Sequence, residues 1–221
     1  MAEGTRIVLI RHGESRAQEL GIVAGHAGCQ GLSERGRAQA QALHDRLVES
    51  AELADASVLY ASLMPRAIET AQIIAPAMGG LELRLECGFC EGHPGDADGL
   101  TWAECDERYP AQEWTADTAR APGWETWTDM GVRVADALTG LVDRHPGETI
   151  VVACHGGVVA QSMIHFLALN DVAAMSRAWI SPDNTSITEW CFASNPYQRE
   201  TMPLELVRYN DFAHLSRRPR G

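Results

Sequence analysis

The sequence predicts an α/β fold built on a mostly parallel sheet whose two faces are covered by helices. Short apolar runs rich in β-branched residues alternate with amphipathic segments along the chain, an order typical of strand–helix–strand units. The 221 residues are 45% hydrophobic and contain no repeat or low-complexity linker. This length and composition suffice for one well-buried core. We therefore predict a single domain over residues 1–221.

The first strand is predicted at 5–10, where TRIVLI is a continuous apolar run suited to a sheet buried on both faces. A helix follows at 32–51, since Ser33 is a favourable N-cap and apolar residues recur there at four-residue steps. ASVLYA at 56–61 is the next buried strand. A second helix is predicted at 65–78, because Pro65 fits the first helical turn.

A third strand with weak alternation is predicted at 81–85. Apolar residues from Met130 to Val142 then mark a long helix that ends at a His-Pro-Gly sequence. A buried strand at 149–154 and a helix at 157–169 follow. Two later strands are predicted, at 185–190 and 204–209.

The stretch 86–129 shows no such periodicity, and we predict that it is an irregular excursion, too long for an ordinary connection and therefore functional. Between residues 93 and 129 it holds nine acidic residues against two arginines, with four tryptophans: Trp102, Trp114, Trp124 and Trp127. Two interpretations stay open. The segment is either a solvated acidic lid that the tryptophans pack down, or an aromatic, anionic mouth that disfavours polyanionic ligands.

The charge and the types of basic residue exclude several classes of function. The net charge is −12, which argues against nucleic acid or an anionic membrane as the main partner. All 18 basic residues are arginines, so Schiff-base chemistry and a P-loop, both of which need lysine, are excluded. No window approaches the roughly 20 apolar residues of a membrane span. An apolar run begins too early for a secretory signal, so we expect a cytoplasmic protein with reduced cysteines.

Cationic and imidazole groups follow three of the predicted strands. Arg11, His12 and Gly13 come directly after the first strand, and His155 follows the strand at 149–154. Arg66 lies on the first turn of the helix after the second strand. The carboxyl ends of parallel strands share one edge of a sheet, where ligands bind. These residues therefore predict an anion site at that edge, with glycines that let the backbone approach the ligand.

Segments carrying these residues resemble the signature segments of the histidine phosphatase superfamily, which includes the cofactor-dependent phosphoglycerate mutases. The three principal matches are IVLIRHGES (7–15), SLMPRAIETA (62–71) and VACHGG (152–157). LSERGRAQAQAL (32–43) and NDFAHL (210–215) fit the family pattern as well. The resemblance covers nearly the whole chain in order. It implies a three-layer α/β/α sandwich with an elaborated active-site loop and a phosphohistidine intermediate.

By matching motif positions, the resemblance implies that His12 is the nucleophile. The phosphate pocket is implied to comprise Arg11, Gly13, Gln18, Arg66 and His155. Gln18 stands where many relatives have an asparagine. We expect His12 to attack through an unprotonated ring nitrogen while its other nitrogen donates to a backbone carbonyl. We expect His155 to carry a proton and donate to the phosphate. No metal or cofactor is required by these assignments.

A phosphate ester also needs an acid that protonates its leaving oxygen. Relatives carry an E-x-x-x-G-D-W-E-G segment after the third strand, and EGHPGDADG at 91–99 fits its spacing with two substitutions. The resemblance therefore implies Glu91 as the catalytic acid.

Two alternatives remain open for the residues around Glu91. Glu86 is the acid if the loop is shifted. Cys87, Cys90 and His93, with Cys105 as a guessed fourth ligand, could instead hold zinc, since C-x-x-C is a common ligand pair. A redox role for the cysteine pair is disfavoured, because no helix start follows it.

We thus predict a metal-independent phosphomonoesterase that acts on a small phosphorylated metabolite. His155 is followed by Gly-Gly-Val-Val, and the extra arginine and lysine pairs with which mutases hold a bisphosphate are absent, so a mutase is less favoured. A non-catalytic module that binds a phosphorylated ligand is the alternative from another class. His214 is expected to fix the C-terminal tail. The oligomeric state is open, with a homodimer among the alternatives.

Overall fold

The computed structural model describes residues 4–169, 180–192 and 204–215, and the ends of the predicted domain lie outside these ranges. The described part of the chain forms a sheet of six strands in the order β3-β2-β4-β1-β5-β6. The strands are β1 (Thr5–Arg11), β2 (Ala56–Ala61), β3 (Leu83–Leu85), β4 (Thr149–Cys154), β5 (Ile187–Phe192) and β6 (Leu204–Asp211).

The sheet is mostly parallel, as predicted. Strands β1 to β4 pair in parallel, with Ile7 opposite Ile150 and Leu9 opposite Val152 in the central ladder. β5 runs antiparallel to both of its neighbours, β1 and β6. Five of the six strands therefore point the same way, and only β5 is reversed.

Six α-helices accompany the sheet in the described residues: α1 (Arg16–Leu20), α2 (Glu34–Ser50), α3 (Pro65–Ile74), α4 (Trp102–Arg108), α5 (Trp127–Arg144) and α6 (Gly156–Phe166). Alternate residues of β1 enter different cores. Ile7 and Leu9 pack with the apolar sides of α5 and α6, whereas Val8 and Ile10 pack with α2 and α3. Two helices thus cover each face, which confirms the three-layer sandwich.

Most predicted elements are present, with small shifts at their ends. The Ser33 hydroxyl accepts from the Gly36 N–H and caps α2, as expected. The helix predicted at 65–78 is α-helical only to Ile74 and continues as a 3₁₀ turn. β3 begins at Leu83 rather than residue 81, and the helix predicted to reach residue 169 ends at Phe166.

The prediction that 86–129 is irregular was wrong in part, because it contains α4. The Thr101 hydroxyl accepts from the Glu104 N–H, and the Glu104 carboxylate accepts from the Thr101 N–H, which forms a capping box. The segment also contributes Ala97, Cys105 and Ala121 to a small buried core that includes Val23 from the loop between α1 and α2. The excursion is therefore a packed unit. No helix among the described residues is long and apolar enough to cross a membrane.

Candidate active site

The residues predicted to form an anion site converge at the carboxyl edge of the sheet. His12 directly follows β1 and its N–H donates to the Cys154 carbonyl at the end of β4, which is followed by His155. The two imidazole rings lie edge to face with their centroids 5.0 Å apart. Arg66 reaches the same place from the first turn of α3, and its side chain is buried. Side chains from three separate elements thus form one cluster.

His12 is oriented by its own backbone surroundings. Its Nδ1 lies 2.6 Å from the Gly13 carbonyl oxygen, as expected from the sequence. Burial lowers the pKa of His12 well below its usual value, and the guanidinium groups of Arg66 and Arg11 lower it further. The ring is therefore neutral near pH 7, with a hydrogen on Nδ1 and a lone pair on Nε2.

Gly13 lies next to His12, and its part in phosphate binding stays a prediction. Its N–H donates to the Thr70 hydroxyl, 3.1 Å away. A Cβ at this position would overlap the Gly36 carbonyl. Gly13 therefore acts by allowing α2 to pack close beneath His12 and by accepting the His12 Nδ1 hydrogen.

Arg66 bridges the two histidines. Its Nε lies 3.2 Å from His12 Nε2 and 3.3 Å from His155 Nδ1, and its Nη1 donates to the Ala24 carbonyl at 3.1 Å. The guanidinium is thereby fixed between the rings by a buried set of hydrogen bonds. It presents a permanent positive charge at the point where both imidazoles converge.

The expectation that His155 carries a proton when it donates to a phosphate stays a prediction. Burial lowers the pKa of His155 well below its usual value, and Arg66 contributes in the same direction. Its Nδ1 faces the Arg66 donor, so Nε2 carries the hydrogen and shares it with the Ser62 hydroxyl at 2.7 Å. Sequence reasoning gave Ser62 no role, although its position one residue after β2 was a usable signal.

Arg11 contributes an unpaired donor. One of its terminal nitrogens donates to the Pro182 carbonyl. Its Nε is buried and has no hydrogen-bond partner among the described residues. A buried N–H of this kind is costly unless a ligand satisfies it. Arg11 therefore has an N–H available for a ligand oxygen.

Of the two candidate acids, Glu91 lies beside the histidine cluster and Glu86 does not. The Glu91 Oε2 accepts from the Gly157 N–H at 3.1 Å, two residues after His155. Glu86 instead forms an ion pair of 2.8 Å with Arg144 at the far end of α5. The shifted-loop alternative therefore has no support in the geometry.

Gln18 lies at the margin of the cluster with an exposed side chain. Its Oε1 accepts from the Ser15 N–H at 3.1 Å and from Asn184 Nδ2 at 3.3 Å. Asn184 Nδ2 also donates to the His12 carbonyl at 2.9 Å, a link that no sequence signal indicated. The Gln18 carbonyl oxygen is thus occupied, and phosphate binding through its amide nitrogen stays a prediction.

The C-x-x-C pair lies beside this site with two histidines. The ligand atoms of His26, Cys87, Cys90 and His93 all fall within 4.8 Å of one another. Cys105, the guessed fourth ligand, is buried in the separate core of the excursion. Burial raises the pKa of Cys90 to about 12, which is opposite to the acidified thiol of a redox pair.

Comparison with known proteins agrees with this geometry. The family model described as histidine phosphatase superfamily (branch 1) matches residues 7–202. Phosphoglycerate mutase-like protein 4 of Arabidopsis thaliana is 37% identical over 69% of this chain and 67% of its own length. The metal-independent phosphoserine phosphatase of the same plant is 28% identical over 97% of this chain and 85% of its own length.

A similar solved structure is the mycobacterial glucosyl-3-phosphoglycerate phosphatase in complex with inorganic phosphate. It aligns with a TM-score of 0.73 and 26% identity, over 96% of this chain and 99% of that one. The six-stranded sheet and its helical layers are therefore shared with an enzyme that binds phosphate.

Proposed function

The chain belongs to the histidine phosphatase superfamily, and from this premise we propose that it hydrolyses phosphate monoesters of small metabolites through a phosphohistidine intermediate. One observation carries the proposal. His12 is a buried neutral imidazole whose Nδ1 is bound to the Gly13 carbonyl and whose Nε2 faces the Arg66 guanidinium. A neutral imidazole beside a fixed cation suits attack on a phosphate, because the cation can bind the phosphate oxygens and free the Nε2 lone pair for phosphorus.

In the first step, His12 Nε2 attacks phosphorus and the bond from phosphorus to the ester oxygen breaks. The charge that develops on the three equatorial oxygens needs fixed donors. Arg66 and the unpaired Nε of Arg11 supply them. His155 supplies another after taking up a proton, which a nearby phosphate dianion favours.

Glu91 gives its proton to the leaving oxygen, so the first step releases a neutral alcohol. In the second step the Glu91 carboxylate takes a proton from water as that water attacks phospho-His12. The bond from phosphorus to nitrogen then breaks, the electron pair returns to Nε2, and inorganic phosphate leaves. The sum is one ester and one water converted to one alcohol and one phosphate, with no metal ion in either step.

The substrate is proposed to be a small phosphorylated metabolite. Two similar proteins are named as phosphatases of phosphoserine and of glucosyl-3-phosphoglycerate, both small monoesters. We propose that 86–129 is a lid over the site within a single domain, since the core of the excursion packs against Val23 beside the site. A cytoplasmic location and a homodimer stay predictions.

The experiment is to trap the intermediate. The protein is mixed with a monoester carrying labelled phosphorus and quenched in alkali within one turnover, because a phosphohistidine bond is labile to acid. Label is expected on wild-type protein and not on His12→Ala, whose turnover should fall at least about 10³-fold. Free phosphate is measured in parallel, and an isomerised phosphate ester in its place would indicate a mutase. Turnover without trapped label on His12 would refute the mechanism.

A further inference from the structure

Beside the phosphate site lies a cluster of two cysteines and two histidines that the proposed reaction does not use. Cys87 and Cys90 flank a 3₁₀ turn after β3, and His93 follows three residues later. His26 comes from the loop between α1 and α2. Residues separated by 61 positions in the chain thus bring four soft or borderline ligand atoms together, all within 4.8 Å of one another.

The spacing matches a tetrahedral ion. Zinc–sulfur bonds of about 2.3 Å and zinc–nitrogen bonds of about 2.0–2.1 Å place neighbouring sulfur and nitrogen ligands about 3.6 Å apart. Cys87 Sγ lies 3.6 Å from His93 Nε2 and 4.0 Å from His26 Nε2. The distance to His93 equals this expected sulfur–nitrogen separation. The distance to His26 is slightly longer, and a small rotation of the exposed His26 side chain would shorten it. We propose that His26, Cys87, Cys90 and His93 bind a zinc ion as a closed four-ligand site.

The backbone that carries the two cysteines is held in place by Arg133. Arg133 Nη1 donates to the backbone carbonyls of Cys87, Gly88 and Cys90 at 2.9–3.1 Å, so a guanidinium holds the turn from behind. Zinc binding releases the two thiol protons to solvent, and two thiolates balance the double charge of the ion.

A carboxylate lies near the outer nitrogen of His93, beyond hydrogen-bond distance. The His93 Nδ1 lies 3.8 Å from Glu125 Oε2, while its Nε2 faces the cysteine. Glu125 is held by both branches of the Arg133 guanidinium and accepts from the His93 N–H. A carboxylate behind the outer nitrogen of a ligating imidazole fixes its ring and strengthens it as a donor.

The site is accessible on one side. Cys90 is buried, Cys87 and His93 are half-buried and His26 is exposed. An ion can therefore enter from solvent and be closed in by His26. Because four protein ligands fill a tetrahedron, no position is left for substrate, and the ion is structural.

The proposed ion would join two loops that form the phosphate site. Cys90 directly precedes Glu91, and His26 lies two residues beyond Ala24, whose carbonyl binds Arg66. Metal loss would thus loosen both the acid and a pocket cation. This consequence rests on the proposed function, whereas binding of the ion does not.

The test is metal binding by untagged full-length protein, stripped with a chelator under reducing conditions and titrated with Co²⁺, then competed with Zn²⁺. We expect one equivalent of Co²⁺ with tetrahedral ligand-field bands and a thiolate charge-transfer band, both abolished by zinc. Cys87→Ser should lose the charge-transfer intensity of one sulfur, and Cys191→Ser, a half-buried cysteine elsewhere, should keep it. His26→Ala alters an exposed side chain and should weaken binding about 100-fold or more, whereas His44→Ala should not.

None of these readouts depends on phosphatase activity, so the zinc site and the proposed reaction can fail separately. Binding by wild type no tighter than by Cys87→Ser, or cobalt without a charge-transfer band, would overturn the site. So would a disulfide between Cys87 and Cys90 found by mass spectrometry in protein isolated under reducing conditions.

Discussion

Replacing Glu91 with glutamine should produce a loss of activity that depends on the leaving group. The glutamine side chain has the same shape, and its carbonyl oxygen can still accept from the Gly157 N–H that Glu91 binds at 3.1 Å. The variant therefore keeps the size of the side chain and removes the transferable proton, and its amide replaces the oxygen that accepts from the Gly92 N–H at 3.2 Å. An alkyl phosphate needs that proton because an alkoxide is a poor leaving group, whereas p-nitrophenolate leaves readily as an anion.

General acid catalysis contributes about 10²–10⁴-fold to such reactions. We expect kcat/KM for an alkyl ester such as phosphoserine to fall about 10³-fold, equivalent to about 4 kcal/mol of transition-state stabilisation. For p-nitrophenyl phosphate the fall should be less than about tenfold. The comparison uses kcat/KM because the second step, hydrolysis of phospho-His12, is the same for both esters. If Glu91→Gln slows that step, kcat falls equally for both esters and the leaving-group effect is hidden.

The matched control is Glu86→Gln. It removes a carboxylate from the same segment, but one paired with Arg144 away from the histidines. Initial rates of phosphate release on both esters, with thermal melting of each variant, give the comparison. Equal losses of kcat/KM on the two esters would refute the role of Glu91, and a leaving-group-dependent loss in Glu86→Gln would transfer that role to Glu86.

Three other predictions follow from single features. Gly157→Ala places a methyl group against the flexible ends of Glu91 and of the buried Met130, so it should reproduce the selective loss on alkyl esters, with a lower melting temperature wherever Met130 has to shift; an unchanged ester ratio would contradict it. Burial lowers the pKa of His214 to about 4. Between about pH 6.5 and pH 4 the unfolded state therefore binds a proton at His214 that the folded state does not bind. The free energy of unfolding should fall as the pH drops through this range. His214→Gln should flatten this slope in urea unfolding, and an unchanged slope would contradict the assignment. The acidic excursion should make a neutral-bodied monoester a better substrate than a bisphosphate by about tenfold in kcat/KM, and faster bisphosphate turnover would refute that hypothesis.

The fold could be predicted from the sequence because its buried strands are continuous apolar runs. TIVVAC at 149–154 is fully buried, and neither a helix nor a surface strand suits such a run of β-branched residues. The helices that the sequence did not predict are short. α1 and α4 have five and seven residues, too few for apolar periodicity, although the T-x-x-E sequence at Thr101 marked the second.

The candidate site was predictable where a residue follows a strand, as with His12 and His155. The protonation states of the histidines could not be predicted from the sequence. The neutral state of His155 depends on its complete burial beside Arg66, which no local pattern encodes. The fourth member of the cysteine–histidine cluster was also out of reach, since His26 lies 61 residues before Cys87 and meets it only in the folded chain.

Arg66 has a further effect on how the catalytic cycle ends. In the structure, the Arg66 Nε is shared between the two imidazoles. Under the proposed mechanism, a phosphate that binds the Arg66 Nε exchanges one set of hydrogen bonds for another, whereas the Arg11 Nε offers it an unpaired donor. When inorganic phosphate departs, the same internal contacts re-form and compensate for the lost ligand. The pocket can thus hold a transferring phosphoryl group firmly and still bind its product weakly, which favours rapid turnover.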